Sequence, residues 1–352
     1  MRIVHIDNLM IRRFGRTKVS TGRRLFNGMV RNNYKVCEYS DRDISSFTAP
    51  LRIKPLGRAQ ANRHLIETCE NFRPDFILMG HCDLIENETL AEIRKLLPAV
   101  KIAYRNLDPL WDEHESVKMR ESNISKIQHR MPVVDAIFIT TGGELLKQFQ
   151  TDQNVVAFLP NATDAGWDDQ NNAEKREFKR DLMFCGVGNK SDDRYTFAGE
   201  LHQALGDRVS FESFGMHGYP AVWGLDYEDV IATSKMGLNL NRYEGYPLYS
   251  SDRIAQLMGN GLLTCLWDSP ESRMREFFSD EQVLFFRDLD QLVEKLKVFK
   301  ADDAQRRAVA AAGRAHYHEH FSGERVIKYM VETTFGLPYS YDYLWQNEVY
   351  RR

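Results

Sequence analysis

Two kinds of hydrophobic pattern alternate along the chain. Short apolar runs at Arg2–Ile6, Lys35–Tyr39, Phe76–Met79, Lys101–Tyr104, Ala136–Ile139 and Val155–Leu159 read as buried strands. Amphipathic stretches with a helical repeat separate them, at Thr21–Asn32, Ala59–Asn71, Asn87–Leu97, Ser122–Val133 and Gly143–Gln150. After residue 180 the scheme repeats. Strands are predicted at Asp181–Cys185, Val209–Phe214, Met236–Leu240, Leu262–Leu266 and Val283–Phe286. Helices are predicted at Asp193–Leu205, Asp226–Thr233, Asp252–Met258, Ser272–Phe277, Leu289–Phe299, Ala304–His320 and Glu324–Thr333. Strands in such alternation must pair in parallel, because each crossover helix returns the chain to the same edge. The fold class is therefore α/β, with two Rossmann-like doubly wound domains facing across a cleft. The polar stretch Thr163–Arg180 has no apolar periodicity until Phe178 and reads as a linker. This divides the chain into a first domain over 1–162, a linker over 163–180 and a second domain over 181–335. A terminal segment over 336–352 is too aromatic to be a disordered end.

Composition narrows the class. The chain has 352 residues, 43% hydrophobic and 28% charged, as expected of a globular protein large enough for two domains. No apolar run is long enough for a membrane span, and the N-terminus enters a strand directly rather than a signal peptide. The five cysteines form no CxxC pair, so they read as reduced core residues of a cytoplasmic protein rather than as metal ligands. The net charge of −3 is unevenly spread: residues 1–63 hold 14 Lys and Arg against 4 Asp and Glu. The basic cluster Ile11–Lys18 either attracts phosphates or an anionic membrane surface, or is a solvated face. A pI near 6.4 and the lack of a recognisable motif argue against a nucleic-acid partner.

The most informative stretch is Met236–Leu263. It predicts a strand ending at Leu240, a polar loop that begins with Asn241, a helix opening at Ser250-Ser251-Asp252-Arg253, and a second strand. Such a helix start offers unpaired amides and a favourable dipole to an anion, and Arg253 is placed to grip a diphosphate. Asp252 or Glu244 could accept from sugar hydroxyls. The same residues would equally serve as an ordinary helix cap with Arg253 solvated. Tyr243, Tyr246, Tyr249 and Trp223 could stack on a base or pack in the core.

Three local patterns carry a family resemblance. Val155–Leu159 runs into Pro160-Asn161-Ala162-Thr163-Asp164, similar to the strand and Pro-Asn-Gly-Val-Asp that close the first domain of many GT-B glycosyltransferases. Leu182–Cys185 runs into Gly186-Val187-Gly188-Asn189-Lys190, which resembles the glycine-rich opening of their donor domain. Arg253 through Gly261 resembles the Arg-x-x-Glu-Ala-x-Ala-x-Gly helix of the CgeB-like branch of family-1-type enzymes, with Gln256 where the family has Glu. The resemblance implies glycosyl transfer from a nucleotide-sugar donor, bound by the second domain, to a glycan or lipid-linked acceptor bound by the first. Residues 336–352 would cross back to the first domain. It implies no metal and no cofactor, the nucleotide sugar being a substrate. The setting it suggests is bacterial surface polysaccharide synthesis in the cytoplasm, at the inner face of the membrane. Donor contacts would come from Gly186, Gly188, Lys190, Arg194, Asn241, Glu244, Ser250, Ser251, Asp252, Arg253 and Gln256. A catalytic base, if the enzyme inverts, would be His81, Asp83 or Asp108, which stand beyond the ends of two predicted strands. A non-catalytic binding module and a nucleotide-sugar epimerase of the same shape are the alternatives.

Overall fold

Parallel pairing runs through both halves of the chain, as the alternating pattern requires. The computed structural model describes residues 1–16, 21–108, 110, 117–242 and 244–352, and of residues 54 and 117–121 the backbone only. Lys18 and Tyr243 lie outside the described residues. The chain divides into two units, one of residues 1–160 and 323–352, the other of residues 161–322.

The first unit has strands β1 (Arg2–Ile6), β2 (Lys35–Tyr39), β3 (Phe76–Met79), β4 (Lys101–Asn106), β5 (Ala136–Ile139) and β6 (Val155–Phe158). Helices α1 (Thr21–Arg31), α2 (Asp41–Thr48), α3 (Arg58–Phe72), α4 (Asn87–Leu96) and α5 (Val117–Arg130) fall between them. Helix α2 is mostly polar, with Ile44 and Phe47 its only large apolar residues, and has no counterpart in the hydrophobic pattern. Only 3-10 turns form where helix is predicted at 143–150.

The second unit has β7 (Arg180–Cys185), α6 (Asp193–Leu205), β8 (Phe211–Phe214), α7 (Leu225–Ala232), β9 (Ser234–Asn239), α8 (Arg253–Gly259), β10 (Leu263–Trp267), β11 (Leu284–Phe286), α9 (Leu289–Ala301) and α10 (Asp303–His320). A short 3-10 turn, Met274–Glu276, stands where a helix over 272–277 is predicted. The chain ends with α11 (Gly323–Phe335) and β12 (Val349–Tyr350) in the first unit.

Sheet order places the sites. In the first unit it is β12-β6-β5-β4-β3-β1-β2, with β12 antiparallel to β6 at one edge. In the second it is β11-β10-β9-β7-β8. Each order reverses direction once, between β1 and β3 and between β7 and β9. Crossovers leave such a point toward opposite faces of the sheet, and a crevice opens beyond the carboxyl ends of the two strands.

Two boundaries differ from the sequence reading. Helix α11 packs on α1 of the first unit rather than closing the second, because Gly28 and Gly323 let the two backbones approach closely. A Cβ on Gly28 would stand 2.2 Å from the Gly323 carbonyl oxygen. Residues 163–180 are no solvated linker. Thr163, Asp164, Asp168 and Asn172 are buried. Asn172 donates to the carbonyls of Ile231 and Ser234 at 2.6 and 2.9 Å, and Asp168 accepts from Thr163 at 2.8 Å. A polar segment whose groups satisfy buried partners belongs to the core it crosses. Among the described residues, no helix is long and apolar enough to cross a membrane.

Candidate donor site

Arg253 ties together the two strands that flank the switch point of the second unit. Its Nε donates to the Cys185 carbonyl at the end of β7 at 2.9 Å. Its Nη1 donates to the Leu240 carbonyl beyond β9 and to Ser251 Oγ, each at 3.0 Å. The guanidinium carbon lies 4.7 Å from the centroid of the Phe184 ring. Burial lowers the Arg253 pKa, yet a guanidinium stays charged in any protein setting. The remaining nitrogen, Nη2, has no hydrogen-bond partner among the described residues. It stands 3.5 Å from where a Cβ on Gly186 would be, and that Cβ would also meet the Phe184 ring at 2.9 Å. Glycine at 186 keeps the space beside Nη2 open. Gly188 is less constrained, since a Cβ there would meet Met216 Cε at 2.4 Å, the end of a flexible side chain that can move aside.

Two asparagines organise the turn before α8. Asn239 accepts from Ser251 Oγ at 3.0 Å and donates to Ser250 Oγ at 3.1 Å. Asn241 accepts from the Ser251 amide at 2.9 Å, and its own amide and side chain donate to Glu244 at 2.7 and 2.9 Å. Burial raises the Glu244 pKa, while the Asn241 donors and the charges of Arg253 and Arg194 act the other way. Asp252 accepts from Gln256 Nε2 at 3.1 Å, and Gln256 Oε1 accepts from the Tyr227 hydroxyl. Asn241, Glu244, Ser250, Ser251 and Arg253 thus share one hydrogen-bond network through Asn239, with Gly186 beside Arg253, while Gln256 pairs with Asp252 and with Tyr227.

Several roles change in this setting. The Ser251 amide already donates to Asn241, and α8 is only seven residues long, so the helix N-terminus offers an anion less than the sequence reading expects. Gln256 is held at both ends. Arg194 folds back onto its own helix cap, pairing with both oxygens of Asp192 at 2.9 and 2.6 Å. Lys190 is exposed on the loop after β7. Asn239, Tyr227 and Phe184 are absent from the sequence-derived set. Asn239 was legible as a polar residue closing an otherwise apolar strand.

The first unit has a polar cluster at its own switch point. Asp7, just past β1, forms a buried ion pair with Arg105 of β4. It also accepts from the Asn8 amide at 2.7 Å and the His81 amide at 3.3 Å. Gly22 and Gly80 leave room for it, since a Cβ on either would come within 2.4 or 2.5 Å of its carboxylate. Burial would raise the Asp7 carboxyl, but Arg105 and His5 hold it well below the usual range. His5 is fully buried. Its Nε2 is 3.4 Å from Asp7 Oδ2, and neither ring nitrogen has a hydrogen-bond partner among the described residues.

His81 is exposed, and its pKa is lowered first by the packed loop around it and then by Arg105, with Asp7 and Asp108 opposing. Asp83 is ion-paired with Arg42. Asp108 takes its place through its amide, which donates to Asn106 at 2.8 Å. The structure therefore gathers His81, Asp7 and Arg105, and gives Asp83 a partner of its own. Among the described residues, no group of three or more His, Cys, Asp or Glu side chains is placed to hold a metal.

Comparison with known proteins gives this geometry a context. Residues 180–332 match the model of a family described as glycosyl transferase-like. No curated protein sequence matches the chain. Among solved structures, Anabaena HepE in complex with UDP and glucose superposes with a TM-score of 0.56 at 12% identity, over 96% of this chain and 100% of that one. A putative UDP-N-acetylglucosamine 2-epimerase from Listeria monocytogenes gives 0.54 at 10% identity, over 97% and 99%. An alpha1,3-fucosyltransferase gives 0.50 at 10% identity, over 97% and 91%. At such identities these likenesses establish the fold, and the family match covers β7 to α11. The second unit thus carries the glycosyl transferase-like signature, and the two parallel-sheet α/β units give the chain the GT-B fold.

Proposed function

We propose that the second unit binds a nucleotide-sugar donor at the β7–β9 switch point, and that the sugar moves to a hydroxyl of a glycan or lipid-linked acceptor held by the first unit. The observation that carries this reading is Arg253. It bridges Cys185 and Leu240 and keeps one guanidinium nitrogen beside the open face of Gly186. A leaving diphosphate gains negative charge as the glycosidic bond breaks, and a fixed cation in a half-buried site stabilises that charge without reorganising. Lys190 adds a mobile cation from the adjoining loop, so the reaction proceeds without a metal or cofactor. Tyr227, Gln256 and Asp252 form a hydrogen-bonded row suited to ribose hydroxyls. Three of the matched structures are of HepE with UDP in their descriptions, with UDP and glucose, with UDP-glucose and with UDP. They make uridine nucleotides the first donors to test. A bacterial surface polysaccharide, built on the cytoplasmic face of the membrane, is the setting that suits such an acceptor.

Incubation with UDP-sugars tests the reading. Slow release of free sugar and UDP without acceptor is expected, and it should persist in EDTA. Loss of turnover in EDTA with rescue by Mg²⁺ would overturn the metal-free mechanism. Conversion of UDP-N-acetylglucosamine to its 2-epimer would favour the second reading, an epimerase, which the Listeria match keeps in view. Binding with no turnover of any donor would leave a binding module.

On the acceptor side we assign the base to His81, with Asp7 and Arg105 as positioning residues. His81→Ala should lower kcat by about 10²–10⁴-fold, the range of general-base catalysis, with donor affinity unchanged. An unaltered kcat would exclude it.

A further inference from the structure

The first unit carries a surface that sugar transfer does not explain. Among the described residues sixteen large apolar side chains are exposed, and six of them, Ile11, Phe14, Phe47, Leu51, Ile53 and Leu56, lie in two short segments. These segments meet. A groove of about 250 Å³ is lined by Arg12, Arg13 and Phe14 from the first and by Ser46, Phe47 and Arg52 from the second. Phe14 is 80% exposed, Leu51 90% and Leu56 60%. Phe14 and Leu51 also hold left-handed backbone, with φ of 52° and 55°. Bulky residues avoid that conformation, and it persists only where the surroundings impose it.

The imposing group is identifiable on one side. Buried Asp43 accepts from the amides of Ile11 and Arg12 at 2.9 and 3.1 Å and from Arg12 Nη1 at 2.7 Å. Arg12 is thereby a strut of the turn and not a free surface cation. The Asp43 clamp fixes the turn whose next residue is Phe14. Arg13 and Arg52 remain exposed beside the apolar tips.

We infer that this surface docks on an anionic lipid bilayer. Phe14 and Leu51 enter the acyl boundary, and Arg13 and Arg52 meet lipid phosphates in the groove. Apolar prongs interleaved with cations are the pattern that binds the headgroup boundary, where burial and charge attraction add. Charge complementarity selects this occupant: the first 63 residues carry 14 basic against 4 acidic side chains. A second copy of the chain would set arginines against arginines.

Vesicle flotation tests the inference independently of any sugar transfer. The parent protein should float with vesicles of phosphatidylcholine plus phosphatidylglycerol, and weakly or not at all with phosphatidylcholine alone. Phe14→Ser combined with Leu51→Ser should weaken binding by about tenfold or more, and the loss should persist at high salt. Arg13→Gln combined with Arg52→Gln should weaken it at low salt, with the difference fading as salt screens the charge. In a Phe14→Trp variant, tryptophan emission should shift to the blue on vesicle addition and be quenched by brominated lipid. Circular dichroism and UDP titration establish that each variant is folded. Equal flotation of the apolar double variant, no flotation of the parent, or dimerisation in place of flotation would overturn the inference.

Discussion

Replacing Arg253 by alanine is expected to weaken UDP binding by roughly 10- to 150-fold, the equivalent of about 1.5–3 kcal/mol for one charge-assisted hydrogen bond. The same change should destabilise the second unit by about 2–4 kcal/mol. It leaves the Cys185 and Leu240 carbonyls without their donor, and a buried unsatisfied group costs about 1–3 kcal/mol. The two effects separate experimentally. Calorimetric titration at low temperature, where the variant is folded, reads the contact with nucleotide, and denaturant unfolding reads the bridge. Arg253→Lys keeps the charge but cannot span two carbonyls and a phosphate in one plane, so it should recover part of the affinity and little of the stability. Unchanged UDP affinity in the alanine variant would remove Arg253 from the donor site and leave it a structural tie.

Gly28→Ala is expected to lower the melting temperature of the first unit by roughly 5–10 °C, the equivalent of about 2–3 kcal/mol of overpacking in a unit of this size. The new Cβ would meet the Gly323 oxygen at 2.2 Å and the Glu324 nitrogen at 2.9 Å. Both atoms are backbone, so no side chain can move aside and α1 and α11 must separate. In most exposed helices the same change stabilises, because alanine is the better helix former. The sign of the effect is therefore the test. Differential scanning calorimetry should show the transition of the first unit moving while that of the second stays in place. A stabilised variant would mean that the α1–α11 crossing is looser than it stands.

The strands and crossover helices were legible because burial imposes a period on the sequence. The run Phe76–Met79 is apolar at every position, and it becomes β3, buried throughout between β1 and β4. Segments whose order comes from hydrogen bonds carry no such period. Helix α2 and residues 163–180 are mostly polar, and what holds the second of them is partners far along the chain, such as Asn172 with Ile231 and Ser234. The partner of α11 was hidden for a related reason. The signal was a glycine inside α1, and its meaning depends on what approaches it.

The candidate donor site divides in the same way. From the sequence alone, residue types and their places were determined: a glycine-rich turn after one strand, a polar turn and Arg253 after another, and two α/β units to carry them. Local pattern is enough for this, since strand ends and helix starts are set within a few residues. Only the tertiary structure decided which donors remain available. Arg253 uses two nitrogens on Cys185 and Leu240, the Ser251 amide is taken by Asn241, Arg194 closes on Asp192, and Gln256 is held by Tyr227 and Asp252. Apart from Asp192 and Asp252, which stand at the start of the same helices as the residues they hold, those partners come from other segments, so their places are set by sheet order and packing. The same holds for Asp7, which becomes the centre of a buried charge cluster only when β4 brings Arg105 to it. A side chain's chemistry is written in the sequence, but whether its hydrogen bonds are spent within the protein or left for a ligand is settled by long-range neighbours.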